Sequence, residues 1–173
     1  DQDPVNSTTP AVDNTSPKDD DTAVSISVND VTVNEGSPYA VFTITGSSGT
    51  QITSLAISDG DSSGNNKTNG LSNNQLEYWN GTGWTLFENS TPISIGSSGA
   101  ILVRVSIADE QDSYVDDGEK FQLTVTPATG SPVVGTGTIR DDGTGTLYPD
   151  DPPTNPTTPA EDTSAKDNDA GGP

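Results

Sequence analysis

The chain has 173 residues, of which 28% are hydrophobic and 5% aromatic, well below the apolar share of a fully globular domain. Its formal charge of −20, from 26 acidic residues against six Lys and Arg, repels nucleic acid and anionic membrane surfaces and attracts cations. With no Cys and no His, the sequence excludes a disulfide framework, the usual ligands of zinc, haem and iron–sulfur centres, and any triad built on a Cys nucleophile or a His base.

Residues 1–22 are Pro, Thr, Ser, Asn and Asp with almost no apolar content, and are expected to form a linker. Such composition buries too little surface to offset ordering entropy, and its prolines favour extended spacers. From Ala23 to Ile139 the apolar residues concentrate, enough for one core of ordinary size. Hydrophobic alternation there has period two. It runs through Val24-Ser-Ile-Ser-Val28 into a first strand over 24–34, then Ala40-Val-Phe-Thr-Ile44 and a strand over 51–58. Tyr78-Trp79 and Trp84 flank Asn80-Gly81-Thr82-Gly83, a hairpin signal because Asn-Gly tolerates positive φ. Ile93–Ile95, Ile101–Ile107, Phe121–Val125 and 133–140 follow, separated by turn clusters such as Gly46-Ser-Ser-Gly49 and Gly96-Ser-Ser-Gly99. No helical stripe interrupts them. Seven to nine short strands at this spacing predict an all-β, antiparallel, immunoglobulin-like sandwich over 23–142, flanked by disordered or extended tails.

Residues 143–173 return to the linker composition, and the two tails together hold nine of the thirteen prolines. Asn6-Ser-Thr-Thr-Pro10 recurs as Asn155-Pro-Thr-Thr-Pro159, and Lys18-Asp-Asp-Asp21 as Lys166-Asp-Asn-Asp169. Two blocks in order at nearly one offset, about 148 residues, point to a tandem array in which 143–173 leads into the next repeat. No run approaches roughly eighteen apolar residues, so no transmembrane helix is expected. No signal-peptide pattern opens the sequence, which reads as an excised piece of something longer.

The acids inside the sandwich are clustered at Glu35, at Asp59 and Asp61, at Asp109, Glu110, Asp112, Asp116, Asp117 and Glu119, and at Asp141 and Asp142. Counting strand directions from an upward first strand lands all four clusters at one end. Like charges about 4 Å apart cost roughly 1 to 4 kcal/mol at surface dielectrics, so converging clusters call for a neutralising cation. Calcium, with six to eight oxygen ligands and tolerance of irregular loops, suits such a site better than magnesium. The bland alternative is a set of solvated Asp-rich turns.

Val31-Thr-Val-Asn-Glu-Gly36 with Ala40-Val-Phe-Thr-Ile44 resembles the opening of a Calx-β domain. Val103-Arg-Val-Ser-Ile-Ala-Asp-Glu110 with Asp116-Asp-Gly-Glu-Lys-Phe-Gln-Leu123 resembles its central acidic motif, and Gly137-Thr-Ile-Arg-Asp-Asp142 its closing strand. The resemblance implies calcium held by Glu35, Asp109, Glu110, Glu119, Asp141 and Asp142, with Asp59 matching more loosely and Asp117 lying in the central acidic run. That run has fewer contiguous Asp than the family pattern, and the closing run has two Asp rather than three, so the ion count is left open. Leu76-Glu-Tyr-Trp-Asn-Gly-Thr-Gly-Trp-Thr-Leu-Phe87 resembles the aromatic hairpin of Calx-β-like repeats in giant type I-secreted (RTX) adhesins.

The leading expectation is therefore a non-enzymatic, calcium-stiffened extender repeat of an extracellular bacterial surface adhesin, partnered by its neighbouring repeats. The alternative is a module in which Tyr78, Trp79 and Trp84 form a platform for a surface glycan or protein. Two-carboxylate glycosidase chemistry is a third class, and no motif or acid in an apolar run supports it. Nucleic acid and direct membrane insertion are not expected.

Overall fold

The computed structural model describes residues 26–59, 70–108 and 118–162. Among these residues ten strands form two five-stranded sheets. They are β1 (Ile26–Val28), β2 (Val31–Asn34), β3 (Tyr39–Gly46), β4 (Gln51–Asp59), β5 (Leu76–Trp79), β6 (Trp84–Leu86), β7 (Ile93–Ser94), β8 (Ala100–Ser106), β9 (Glu119–Pro127) and β10 (Val133–Arg140). One sheet has the order β1-β3-β8-β5-β6 and the other β2-β10-β9-β4-β7. The expected all-β sandwich is the fold of this chain.

Two details differ from expectation. The first predicted strand, 24–34, breaks at Asn29-Asp30 and contributes β1 to one sheet and β2 to the other, which takes the strand count to ten. The side chains at the break explain it. Asn29 Oδ1 accepts the Thr43 amide at 2.8 Å on one sheet, and Asp30 Oδ1 accepts the Thr136 amide at 2.8 Å on the other. These two carboxamide and carboxylate oxygens replace ladder carbonyls where the chain crosses the core. The crossing also makes β2 run parallel to β10, the one parallel pair between named strands, so the sandwich is mixed rather than purely antiparallel.

The core lies between the sheets. Ala40, Phe42, Ile44, Ile101, Val103 and Val105 face Ile52, Leu55, Ile57, Phe121, Leu123, Val125 and Ile139, all buried. Ile52 and Leu55 are three residues apart, out of phase for a regular strand, and a register shift between Ile52 and Ser54 turns both inward. At the centre Phe42 and Phe121 meet edge to face, centroids 5.9 Å apart. Gly137 lies under the Phe121 ring, where an added Cβ would sit 2.3 Å from it.

The sandwich extends past the boundary expected at Asp142. Leu147 and Tyr148 are buried, and Tyr148 belongs to the main core cluster. Bridges join Val33 to Thr146, Tyr39 to Tyr148 and Leu147 to Asp162. Thus the first twenty residues of the expected linker, 143–162, dock on the sandwich. Gly145 permits the approach: its φ is +95°, and a Cβ there would meet the Val33 carbonyl carbon at 2.6 Å. Asn34 Nδ2 donates to the Thr144 carbonyl at 3.0 Å, and the Tyr148 amide donates to Ser37 Oγ at 2.8 Å, so buried polar groups of the sandwich satisfy the incoming backbone.

Candidate functional site

Strand registers place the acidic residues. Asn34 opposes Arg140, and the Glu35 amide donates to the Arg140 carbonyl at 2.8 Å. Glu119 opposes Ile139, and Asp59 opposes Phe121. Asp141 directly follows β10. All five described candidates, Glu35, Asp59, Glu119, Asp141 and Asp142, therefore lie at one end of the sheet β2-β10-β9-β4-β7. Asp109, Glu110 and Asp117 lie outside the described residues. The chain on either side of them is anchored at this same end: the Ile107 amide donates to the Pro38 carbonyl at 3.0 Å, and the Gly118 amide to the Ile139 carbonyl at 3.0 Å.

The five separate into two groups. Ile139 points into the core, so alternation turns Glu119 beside it, and Asp141 two residues on, inward as well. Glu35 stands in the same relation to buried Val33. These three residues are 1%, 5% and 2% exposed for Glu119, Asp141 and Glu35, with Glu119 level with Ile139 and Val33, and Glu35 and Asp141 one pleat further toward the end of the core. Burying carboxylates is costly unless hydrogen bonds or cations meet their charge. Their donors are hard oxygens, the kind calcium takes, and the six to eight oxygens of a full shell would need others besides these. Among the described residues no group of three or more metal-ligating side chains is arranged to hold an ion.

Asp59 and Asp142 are turned to local work. Asp59 accepts the Ser72 amide at 3.0 Å and the Ser72 hydroxyl at 3.1 Å, which holds a short 3₁₀ turn, Leu71–Asn73, against the end of β4. Asp142 accepts both the hydroxyl and the amide of Thr144, and Arg140 Nη2 lies 3.2 Å from its other oxygen. The Thr144 hydroxyl, then its amide, then Arg140 hold the Asp142 carboxyl down at about 2.

A second cluster occupies the outward face of the other sheet. Alternation directs Tyr78 inward and Trp79 outward, as the sequence predicts, and Trp84 opposes Trp79 across the hairpin. The two indoles pack at 5.6 Å and 67°. Asn80 Oδ1 collects the Thr82 and Gly83 amides and fixes the turn. All three aromatics are half-buried and pack against the edge of the core. A cleft of about 420 Å³ opens beside them, lined by Tyr78, Trp79, Ser94, Ser98, Ile101 and Pro156.

Sequence reasoning missed the residue that organises this face. Arg104 is buried on the outward side of β8, with its guanidinium carbon 3.8 Å from the Tyr39 ring centroid and 4.4 Å from that of Trp84. Its Nε donates to Glu77 Oε1 at 2.7 Å and its Nη1 to Asp150 Oδ1 at 2.7 Å. The available signal was a lone cation in the apolar run Ile101-Leu-Val-Arg-Val105, and its partner Asp150 lay in the presumed linker. Val41 and Leu102 share this face and are buried too, so it is a covered face rather than a solvated one.

No family model and no curated protein sequence matches the chain. Among solved structures it is similar to a crystal structure of the periplasmic chaperone SfaE, with 15% identity and a TM-score of 0.41, over 68% of this chain. The chain spans about 57% of the length of that chaperone chain.

Proposed function

We propose that this chain is a calcium-stiffened, non-catalytic spacer repeat of an extracellular bacterial surface adhesin. The observation that carries the reading is the burial of three carboxylates, Glu35, Glu119 and Asp141, at the end of the sandwich where Ile107 and Gly118 are also anchored. The net charge of −20 works in the same direction, since it draws cations to the molecule and opposes compaction without them. Bound calcium would supply positive charge at that end, where Glu35 and Asp141 follow β2 and β10 and Glu119 opens β9. The energy needed is modest. A site with Kd ~10⁻⁴ M in roughly millimolar calcium gains about 1.4 kcal/mol, worth on the order of 5 °C in Tm for a domain of this size.

Thermal unfolding in EDTA, in millimolar calcium and in millimolar magnesium tests the reading. A calcium-specific rise in Tm that shrinks in Glu119→Ala and Asp109→Ala is expected. Identical curves in the three conditions would overturn it.

A second reading, a glycan- or protein-binding module, is favoured by the cleft beside Trp79. Half-buried aromatic faces lining an open groove suit stacking on sugar rings. Oligosaccharide titration followed by tryptophan fluorescence, with Trp79→Ala as control, decides it. No saturable change in the unsubstituted chain would sink that reading.

A further inference from the structure

The cleft beside Trp79 differs in charge from the rest of the molecule. The chain carries 26 acidic residues against six Lys and Arg, yet none of the residues lining the cleft is charged. The cleft also lies at the opposite end of the strands from the buried carboxylates. Ile101 near the start of β8 and Ser94, which opposes Gln51 at the start of β4, line it, whereas Asp59 ends β4 at the acidic end.

One wall of the cleft comes from the docked C-terminal segment. That segment is bridged to Tyr39 at Tyr148, meets Arg104 through Asp150 and reaches the cleft at Pro156. There it turns back. The Thr158 amide donates to the Asn155 carbonyl at 3.2 Å, and Asn155 Oδ1 accepts the Thr157 amide at 2.9 Å. Pro156 takes the second position of this turn, which its fixed φ suits. The Asp162 amide then donates to the Leu147 carbonyl at 2.8 Å, so Pro156 stands at the tip of a loop closed at its base.

These features select a ligand by its charge. An anionic ligand meets the field of a molecule of charge −20, and a cationic one finds no carboxylate in the cleft to replace its water. A neutral ligand with hydroxyl edges meets neither cost. Ser94 and Ser98 offer hydroxyls, while Tyr78, Trp79 and Pro156 offer apolar surface. Trp79 is held in place beforehand: it packs on Trp84 at 5.6 Å, and Trp84 lies against Arg104 at 4.4 Å, so its ordering costs little on binding.

We propose that the cleft binds a neutral oligosaccharide and that Pro156 is part of the site, so that the sugar and the docked segment stabilise each other. This names the ligand class of the glycan-binding reading and rests on it. The acidic end takes no part, so calcium leaves the affinity unchanged.

The test titrates the full chain with a neutral tetrasaccharide of β-linked glucose and with tetragalacturonate, following tryptophan fluorescence in EDTA and in millimolar calcium. The expected result is saturable binding of the neutral sugar with one Kd in both conditions, and galacturonate binding at least about tenfold weaker. Pro156→Ala, at an exposed position, should weaken the neutral sugar about threefold or more with Tm unchanged. Saturating neutral sugar should also slow exchange of the Asp162 amide about threefold or more, because a ligand that prefers the docked segment opposes its opening. No saturable change with either sugar would sink the glycan reading together with this proposal. Galacturonate binding as tight as the neutral sugar, a Kd unmoved by Pro156→Ala, or an Asp162 amide indifferent to the sugar would each overturn this proposal alone.

Discussion

Arg104 shows how one side chain ties four other parts of the chain to its own strand. It lies on β8, reaches Glu77 on β5, stacks between Tyr39 of β3 and Trp84 of β6, and takes Asp150 from the docked segment. A buried guanidinium is tolerable here because planar donors meet two carboxylates and both faces meet aromatic rings. Its carboxylate partners reach water, Glu77 in part and Asp150 largely, so removing the cation strands neither of them completely. Arg104→Ala should therefore cost about 1–3 kcal/mol, chiefly in lost stacking, and Asp150→Ala under about 1 kcal/mol. Urea unfolding monitored by Trp fluorescence separates the two; equal losses would contradict the account. Asp142 supplies the acid-side prediction. Its folded value, about 2, is below the ordinary 3.8, so its contribution is complete above pH 3.8 and lost as pH falls through about 2. In EDTA, Asp142→Asn should have a flatter Tm profile than the unsubstituted chain across that window, and a parallel profile would refute the assignment.

At the scale of elements, the sandwich depends on a few positions where two strands approach unusually closely. Gly137 on β10 leaves the space into which Phe121 of β9 places its ring, and that ring in turn meets Phe42 on the opposite sheet. Gly137→Ala should destabilise the fold by about 1–3 kcal/mol through overpacking, although Ala ordinarily suits a strand better than Gly. Val134→Thr, three residues earlier and exposed, is the control and should change stability by less than about 0.5 kcal/mol. Equal denaturant midpoints for both variants would mean that the ring moves aside freely. The β1–β2 break belongs to the same scale. Val24-Ser-Ile-Ser-Val28 alternates cleanly, and nothing in that alternation marks Asn29 and Asp30 as a crossover. Their oxygens are spent on Thr43 and Thr136, residues 14 and 106 positions away.

At the scale of the whole molecule, the charge of −20 and the docked segment 143–162 act on stability in opposite directions. Self-repulsion opposes the compact state, and salt screens it within a Debye length of about 8–10 Å. Raising sodium chloride in EDTA should therefore raise Tm, and the gain should shrink when millimolar calcium is present; a salt response unchanged by calcium would argue that no cation neutralises the acidic end. Ending the chain at Asp142 removes Leu147 and Tyr148 from the core and should cost about 3–5 kcal/mol, against little loss for a chain ending at Asp162. Calorimetry on the two lengths checks where the unit ends.

Period-two alternation, Asn-Gly chemistry and the density of Val, Ile and Phe were enough to read the all-β sandwich, nearly every strand, and the gathering of Glu35, Glu119 and Asp141 at one end. Those signals are local: alternation selects a face within one strand, and a direction count needs only the turns between strands. Which acids are buried was a different matter. Glu35, Glu119 and Asp141 turn inward because each keeps the phase of the buried residues Val33 and Ile139 beside it, while Asp59 and Asp142 are held by Ser72 and Thr144. The docked segment was hidden for the same reason. Leu147 and Tyr148 are two apolar residues in a Pro- and Asp-rich stretch, too few to show as a periodic pattern. What holds the segment, at Thr146, Tyr148 and Asp150, is Val33, Ser37, Tyr39 and Arg104, residues more than 40 to more than 100 positions away in the chain. Composition measures whether a segment can bury itself; only the tertiary structure decides whether another part of the chain will bury it.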